Sequence, residues 1–553
     1  MFKRAAASLA IAFGACGLLA GSGLAQTASH MGGTLRLVAP SSEGTIDPQI
    51  NYTLMNWQVY YIAYDGLVTF AKTSGTKSND IVADLAEAVP KPQDGGKTYV
   101  FKLRPGIEFS NGKPVTPDDV VATFERLFKV SNPNAGTWYN VIIGGDACLK
   151  TPATCALKDG VVADDKAGTV TFHLTHPSAE FLDQLAVPFG VILPADTPAH
   201  DLGTEAPPGT GPYMIASYQP NKEMKLVRNP HFKQWSEEAQ PNGYVDEIDF
   251  NFGLTAEAET TAVENDQADW MFSPVPTDRL GEVGTRFAKQ VHIDPLFAFY
   301  YVAMNTRLAP FDSIDVRRAV NYGVDRKATV DFWGGPRLAQ PTCQILPPDF
   351  PGYEPYCPWT TKPGKVWVGP DMAKAKALMQ KAGAVGKDVT LIVPDRDPDR
   401  QIGTYLQSYL NQLGFHASLK PISANIEFTY IQNTKNNVQI SLTDWYQDYP
   451  APSDFLNVMF SCANFHPGSD ASINISGFCD HNIDDQMNQA LTTQLTDPES
   501  AYQMWAKIDR EVTDAAPVAP LFTPKKLDFV SSRVGNFTYS YQIQLIFSKV
   551  WVK

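Results

Sequence analysis

Charged side chains are scarce in this 553-residue chain: Lys, Arg, Asp and Glu make up 19 % of it, and histidine occurs nine times. The motifs that usually announce an enzyme are missing. No GxSxG and no HExxH occurs, and Gly96-Lys97-Thr98 cannot close a phosphate-cradling loop, because Lys91 stands where such a loop needs glycine. No CxxC occurs, which removes the commonest thiolate metal clip. His173 and His176 are three apart on an expected strand and point to opposite faces, a poor pair for one metal. After the N-terminal region no run of about 18 apolar residues follows, so no membrane span is expected and the processed chain is expected to be soluble. Neither an internal repeat nor a low-complexity linker is present. An enzyme is therefore not expected.

Basic residues are also fewer than acidic ones, 45 against 59. The formal charge is −14, and about −16 once the basic N-terminus is discounted. Such a surface disfavours nucleic acid and anionic membrane, and suits a cationic or zwitterionic ligand.

What the chain does contain begins with an export signal. Lys3 and Arg4 precede an apolar run from Ala5 to Ala20, and Gly23-Leu24-Ala25 supplies small residues for cleavage near Gln26. Residues 1–25 are thus expected to be a signal peptide directing the protein out of the cytoplasm, into the periplasm or its equivalent. Lipid attachment at Cys16 is the competing reading, but Phe13-Gly14-Ala15 is a poor lead-in. The other six cysteines fall in sequence-local pairs, Cys148 and Cys155, Cys343 and Cys357, Cys462 and Cys479. In an oxidising compartment each pair can close a short loop; a metal site is the rival, and fifteen pairings are formally open.

With 553 residues, two or more domains are expected. Gly32 to Val38 reads as a first strand and about Leu54 to Leu67 as a helix rich in aromatic residues. Tyr99 to Leu103 alternates as a strand. Thr116, Pro117 and Asp119 then form a helix start of capping-box type, giving Asp118 and Asp119 a structural task in preference to a catalytic one. Gly209 to Tyr213 reads as a tight turn, and Leu296 to Asn305 as a buried strand. A helix from Asp371 to Lys381 stopped by Gly383, a strand from Asp388, a helix from Arg400 stopped by Gly414 and a strand from Phe415 alternate as in an α/β lobe with a largely parallel sheet.

Several of these segments, in order, resemble the family-5 extracytoplasmic solute-binding proteins of dipeptide, oligopeptide and nickel importers: Val82 to Val89 (VADLAEAV), Tyr99 to Leu127, Gly209 to Tyr213 (GTGPY), Arg228 to Phe232 (RNPHF), Asn305 to Arg326 and Asp444 to Leu456 (DWYQDYPAPSDFL). The stretch Gly334 to Trp359 departs from the better-known relatives. The resemblance implies a two-lobed, type II-like periplasmic-binding-protein fold. Lobe I would hold residues 26–57, 189–295 and 516–553, an inserted subdomain 58–188, and lobe II 296–515, with crossings near Pro295 and Ala516. It implies a monomer that captures a solute between hinged lobes and hands it to ABC permease subunits, without a cofactor. The cargo is open: a short peptide or related zwitterion is preferred, a metal complex, opine or oligosaccharide is the alternative, and a sensing or chaperone-like role is the reading from another class.

Residue by residue, Asp448 matches the family position that receives a ligand ammonium, and Asp444 is its nearest alternative. Trp445 and Tyr446 offer flat walls, or core packing. Trp57 and Tyr60 lie in a region that approaches the cleft in relatives, although core packing is the plainer reading. Arg396, just past the strand ending at Val393, is a candidate partner for a ligand carboxylate, with Arg400 beside it. Asp395, Asp397 and Asp399 supply the alternative of local ion pairs.

Overall fold

The computed structural model describes residues 30–42, 44–130, 132–468 and 472–553. The expected signal peptide and Cys16 lie outside the described residues.

Strand β1 (Thr34–Ala39) opens the first sheet. Helix α1 (Leu54–Ala63) follows and stops four residues before the expected Leu67, because Tyr64 is extended and Asp65 turns inward to accept from Thr210 Oγ1 at 2.6 Å. Two small sheets come next, Val68–Phe70 with Ile81–Ala83, and Thr98–Lys102 with Thr169–His173 and Val161–Asp164. Against them lies α2 (Pro117–Lys129). Its Thr116 cap is present: Asp119 accepts from the Thr116 N–H at 2.8 Å and from the Ala195 N–H at 2.7 Å. Both of its oxygens are therefore spent on backbone donors.

The first sheet is completed by β2 (Tyr213–Gln219), β3 (Glu223–Arg228), β4 (Glu247–Phe252) and β5 (Trp270–Met271), in the order β5-β1-β4-β3-β2. The turn before β2 owes its glycines to close packing. A Cβ at Gly209 would stand 2.1 Å from the Ala63 carbonyl oxygen, and one at Gly211 would stand 2.3 Å from that of Ile62. Only glycine lets this loop lie on the end of α1.

The second sheet contains β6 (Val291–Pro295), β7 (Ala298–Met304), β8 (Ala339–Pro341), β9 (Asp388–Pro394), β10 (His416–Ile422), β11 (Ile440–Tyr446) and β12 (Val518–Phe529). Helix α3 (Asp399–Leu413) connects β9 to β10, and α4 (Ala424–Gln432) leads from β10 towards β11. Helix α5 (Pro452–Phe460) follows β11. The order is β6-β12-β7-β11-β9-β10, with β8 also on β12. Strands β9, β10 and β11 are parallel, but β7 runs antiparallel to both β11 and β12, so the sheet is mixed where a largely parallel one is expected. The reason is that β7, which follows β6 from the first lobe, and β12, whose end pairs with β6, lie side by side in opposite directions. Strand β7 is buried on both faces. Tyr300, Val302 and Met304 join one core, and Phe299, Tyr301 and Ala303 join the other.

Two passages join the lobes. One is the β6–β7 connection at Pro295. The other lies within β12, which pairs with β7 through Phe522 and with β6 from Lys525 to Phe529. Ala516 itself ends a helix in the left-handed conformation, φ +53°, and β12 begins as a strand of the second sheet. The C-terminal segment then returns to the first lobe, where Leu545, Phe547 and Val550 join its core.

All three cysteine pairs are bonded as nearest neighbours, Cys148–Cys155, Cys343–Cys357 and Cys462–Cys479. His481 lies close to the last pair, but both sulfurs are used in the bond. Removing one such link commonly costs about 2–5 kcal/mol. The double variant C462S/C479S is therefore expected to melt lower than the parent under oxidising conditions and level with it after reduction. A thiol titration of the exported protein that finds these six groups free would refute the bonding.

Candidate functional site

Parallel strands leave a crevice beyond their carboxyl ends, where successive connections diverge. Here β9, β10 and β11 end together, and three connections depart from that edge. The first carries Arg396 and Asp399, the second Glu427, and the third Asp448 and Asp454. Asp444 and Tyr446 lie at the end of β11, on the face shared with Tyr300 of β7.

The first group centres on Arg396. Its Nε donates to Asp399 at 2.7 Å, and its terminal nitrogen lies 3.6 Å from Asp444. Asp399 is sealed inside, whereas the Arg396 side chain keeps 53 % of its surface. The Tyr300 and Tyr446 hydroxyls stand 3.1 Å apart beside Asp444. Trp333, against Tyr300 and Phe522, extends the aromatic floor. Glu427 is 4 % exposed, and its Oε1 has no hydrogen-bond partner among the described residues.

Burial pushes the Asp444 carboxyl up to about 6 against the pull of Arg396, and pushes Glu427 up to about 8 with Asp444 adding to the rise. Asp399 is raised by burial too, with Arg396 opposing. Three carboxylates therefore share one guanidinium, and that guanidinium is held firmly charged: burial disfavours its charge, but Asp399, Tyr300 and Asp444 outweigh it.

The second group spans the two lobes. Asp448 is half-buried and accepts a short hydrogen bond from the Tyr52 hydroxyl of lobe I, while its own N–H donates to Asp454 at 2.9 Å. Tyr52 stands in an aromatic wall with Trp57, Trp138 and Phe189. Tyr449 enters that wall from the other lobe, 5.6 Å from Trp138. Glu180, at the start of the short helix Phe181–Ala186, accepts from the Tyr449 hydroxyl at 3.2 Å and, over a shorter distance, from Ser453. Burial raises Asp448 to about 7, Glu180 to about 7 and Asp183 to about 8, with Glu180 adding to the last. No cation is paired with Asp448 among the described residues.

Asp448, Asp444, Tyr446 and Arg396 thus come together at one edge of the second sheet. Trp445 alternates to the opposite face and is 6 % exposed in the core with Phe299 and Phe455. Tyr60 is fully buried, and Trp57 packs in the lobe I core with its indole N–H on the Asn51 carbonyl at 3.1 Å. Trp57 touches the aromatic wall of the site through Tyr52 and Phe189. Arg400 pairs with Asp395 at 2.9 Å. Tyr52, Glu180, Glu427 and Trp333 do not stand out in the sequence. Nothing in a loop tyrosine or a helical glutamate signals a partner hundreds of residues away.

Residues 80–467 match the model of the bacterial extracellular solute-binding proteins, family 5, middle region. Among curated relatives, the probable D,D-dipeptide-binding periplasmic protein DdpA of Escherichia coli K12 is 26 % identical over 519 residues, which is 91 % of each chain. Among solved structures, clavulanic acid biosynthesis oligopeptide binding protein 2 superposes with a TM-score of 0.84 at 23 % identity, covering 95 % of this chain and 96 % of that one. The dipeptide-binding protein of Pseudoalteromonas sp. SM9913, in complex with Met-Leu, gives 0.76 at 21 % identity over 94 % of this chain and all of that one. With two lobes facing each other across this crevice and a family model spanning more than half of its length, the chain belongs to the bacterial extracellular solute-binding proteins, family 5.

Proposed function

We propose that this protein is the extracytoplasmic capture component of an ABC importer and takes a short peptide or related zwitterion between its lobes. The observation that carries this reading is Asp448: a carboxylate at the lobe junction, held by a tyrosine of the opposite lobe and lacking a cation. A buried ion without a counter-charge costs several kcal/mol, so such a group either binds a proton or recruits a positive ligand. An α-ammonium fits that need. The ligand backbone is read by strand-like pairing, which is indifferent to side chains, and its carboxylate turns towards the open side of Arg396. Relatives named for dipeptide and glutathione binding support the same ligand class.

In this reading the lobes swing on the β6–β12 ribbon, residues 58–188 ride on lobe I as an inserted subdomain, and the closed form is what permease subunits recognise. The protein works as a monomer and returns its ligand chemically intact. Export depends on residues 1–25, consistent with the absence, among the described residues, of any helix long and apolar enough to cross a membrane.

Asp448→Asn is expected to lose roughly 100- to 1000-fold in dipeptide affinity, the equivalent of about 3–4 kcal/mol for breaking one buried charge pair, without loss of fold. Calorimetric titration checks this, and unchanged affinity would reject the assignment. Native mass spectrometry of freshly purified protein is expected to show a retained peptide-sized guest.

A pH effect follows from the raised carboxyls. Glu180, Asp183, Asp448 and Glu427 hold protons more tightly folded than unfolded. Their contribution to stability is complete below about pH 4 and is lost as pH rises through about 7–8. The ligand-free protein is therefore expected to melt higher at about pH 5.5 than at about pH 8, and Glu180→Gln is expected to flatten that slope. Peptide affinity should run the other way, rising as Asp448 ionises.

A further inference from the structure

The Arg396 group does not balance. Asp399, Asp444 and Glu427 face one guanidinium, and no second cation acts on any of the three among the described residues. Arg396 is already divided between Asp399 and Asp444, at 2.7 and 3.6 Å. Glu427 has neither an ion pair nor a hydrogen bond among the described residues, and its Oε1 is buried without a partner. The carboxyl is not discarded on an outer face: it stands at the carboxyl edge of the sheet, where α4 leaves β10, and feels Asp444, Arg396 and Asp399 as its charged neighbours. A carboxylate arriving from a ligand at Arg396 would deepen the deficit of positive charge.

We infer that Glu427 and Asp444 form a second, anionic subsite that receives a basic side chain of the ligand, so that the protein selects peptides carrying a lysine- or arginine-like group in addition to their α-ammonium. This rests on the peptide reading above and narrows it. A cation placed there gives Glu427 its missing partner and relieves its repulsion with Asp444. A neutral polar side chain of the same length can satisfy the hydrogen bond but not the charge. The strongly acidic balance of the chain agrees with a cationic cargo. The aromatic surfaces of Tyr300, Tyr446 and Trp333 beside the carboxylates suit the aliphatic stem of such a side chain.

The test is calorimetric titration of the intact processed protein with matched probes, Ala-Lys against Ala-Gln and Ala-Lys-Ala against Ala-Gln-Ala. A preference of tenfold or more for the lysine member of either pair is expected, falling to within about threefold in Glu427→Gln. Equal affinities within both pairs would overturn the subsite and leave the peptide reading standing; binding of none of the four would overturn both. A preference that survives in Glu427→Gln would remove Glu427 from the assignment. Should that variant fail to fold, the wild-type protein still decides. Its lysine preference should grow as pH rises from about 6 to about 8.5, because the subsite must ionise, and a flat preference over that range would overturn the inference.

Discussion

The mismatch between buried carboxylates and available cations at the carboxyl edge of the second sheet is the constraint on which the rest of the structure turns. Desolvation makes each of these acids costly to ionise. Arg396 relieves Asp399 and Asp444 only in part, and among the described residues no cation is paired with Asp448, Asp454 or Glu180. A closed protein core would not tolerate this without protonation. Under the proposed function, a crevice that closes on a positively charged guest can.

The architecture concentrates that mismatch where two bodies meet. Three parallel strands end side by side, and each following connection delivers one or two acids to the same edge. Across the gap, Tyr52 and Glu180 supply a donor and an acceptor that engage the 448–453 loop, so the groups that would bind a guest also hold the lobes together. Under the proposed function, ligand recognition and lobe closure would draw on the same few hydrogen bonds. Strand β12 spans the junction as one continuous strand, pairing with β7 at its start and with β6 at its end. Its end is tied to the first lobe, with Trp270 Nε1 donating to Asp528 at 2.8 Å.

Much of this was legible beforehand because it rests on local periodicity. Strand β7 shows itself as a continuous apolar run, α2 by its Thr116–Asp119 cap, and the helices before Gly383 and Gly414 by glycines that do adopt positive φ, +62° and +118°. Asp448 was reached by resemblance, and the structure places it at the lobe junction. What is non-local is not legible there: the sheet is mixed because β7 runs antiparallel to β11 and β12, and β12 changes partner from β7 to β6 along its length, and no periodicity records a change of partner. The glycines of Gly209 to Gly211 serve a close approach to α1, which only the packed chain reveals.

From the residues alone came the cysteine pairs, the α/β alternation and the acidic balance, and the expectation of an export signal, since each depends on spacing or composition within a short window or on a simple count. The encounter of Tyr52 with Asp448, 396 positions apart, came from the folded chain, as did the commitment of Arg396 to two acids and the isolation of Glu427. Charge pairing and desolvation depend on distances in space, and a linear order of residues does not contain those distances.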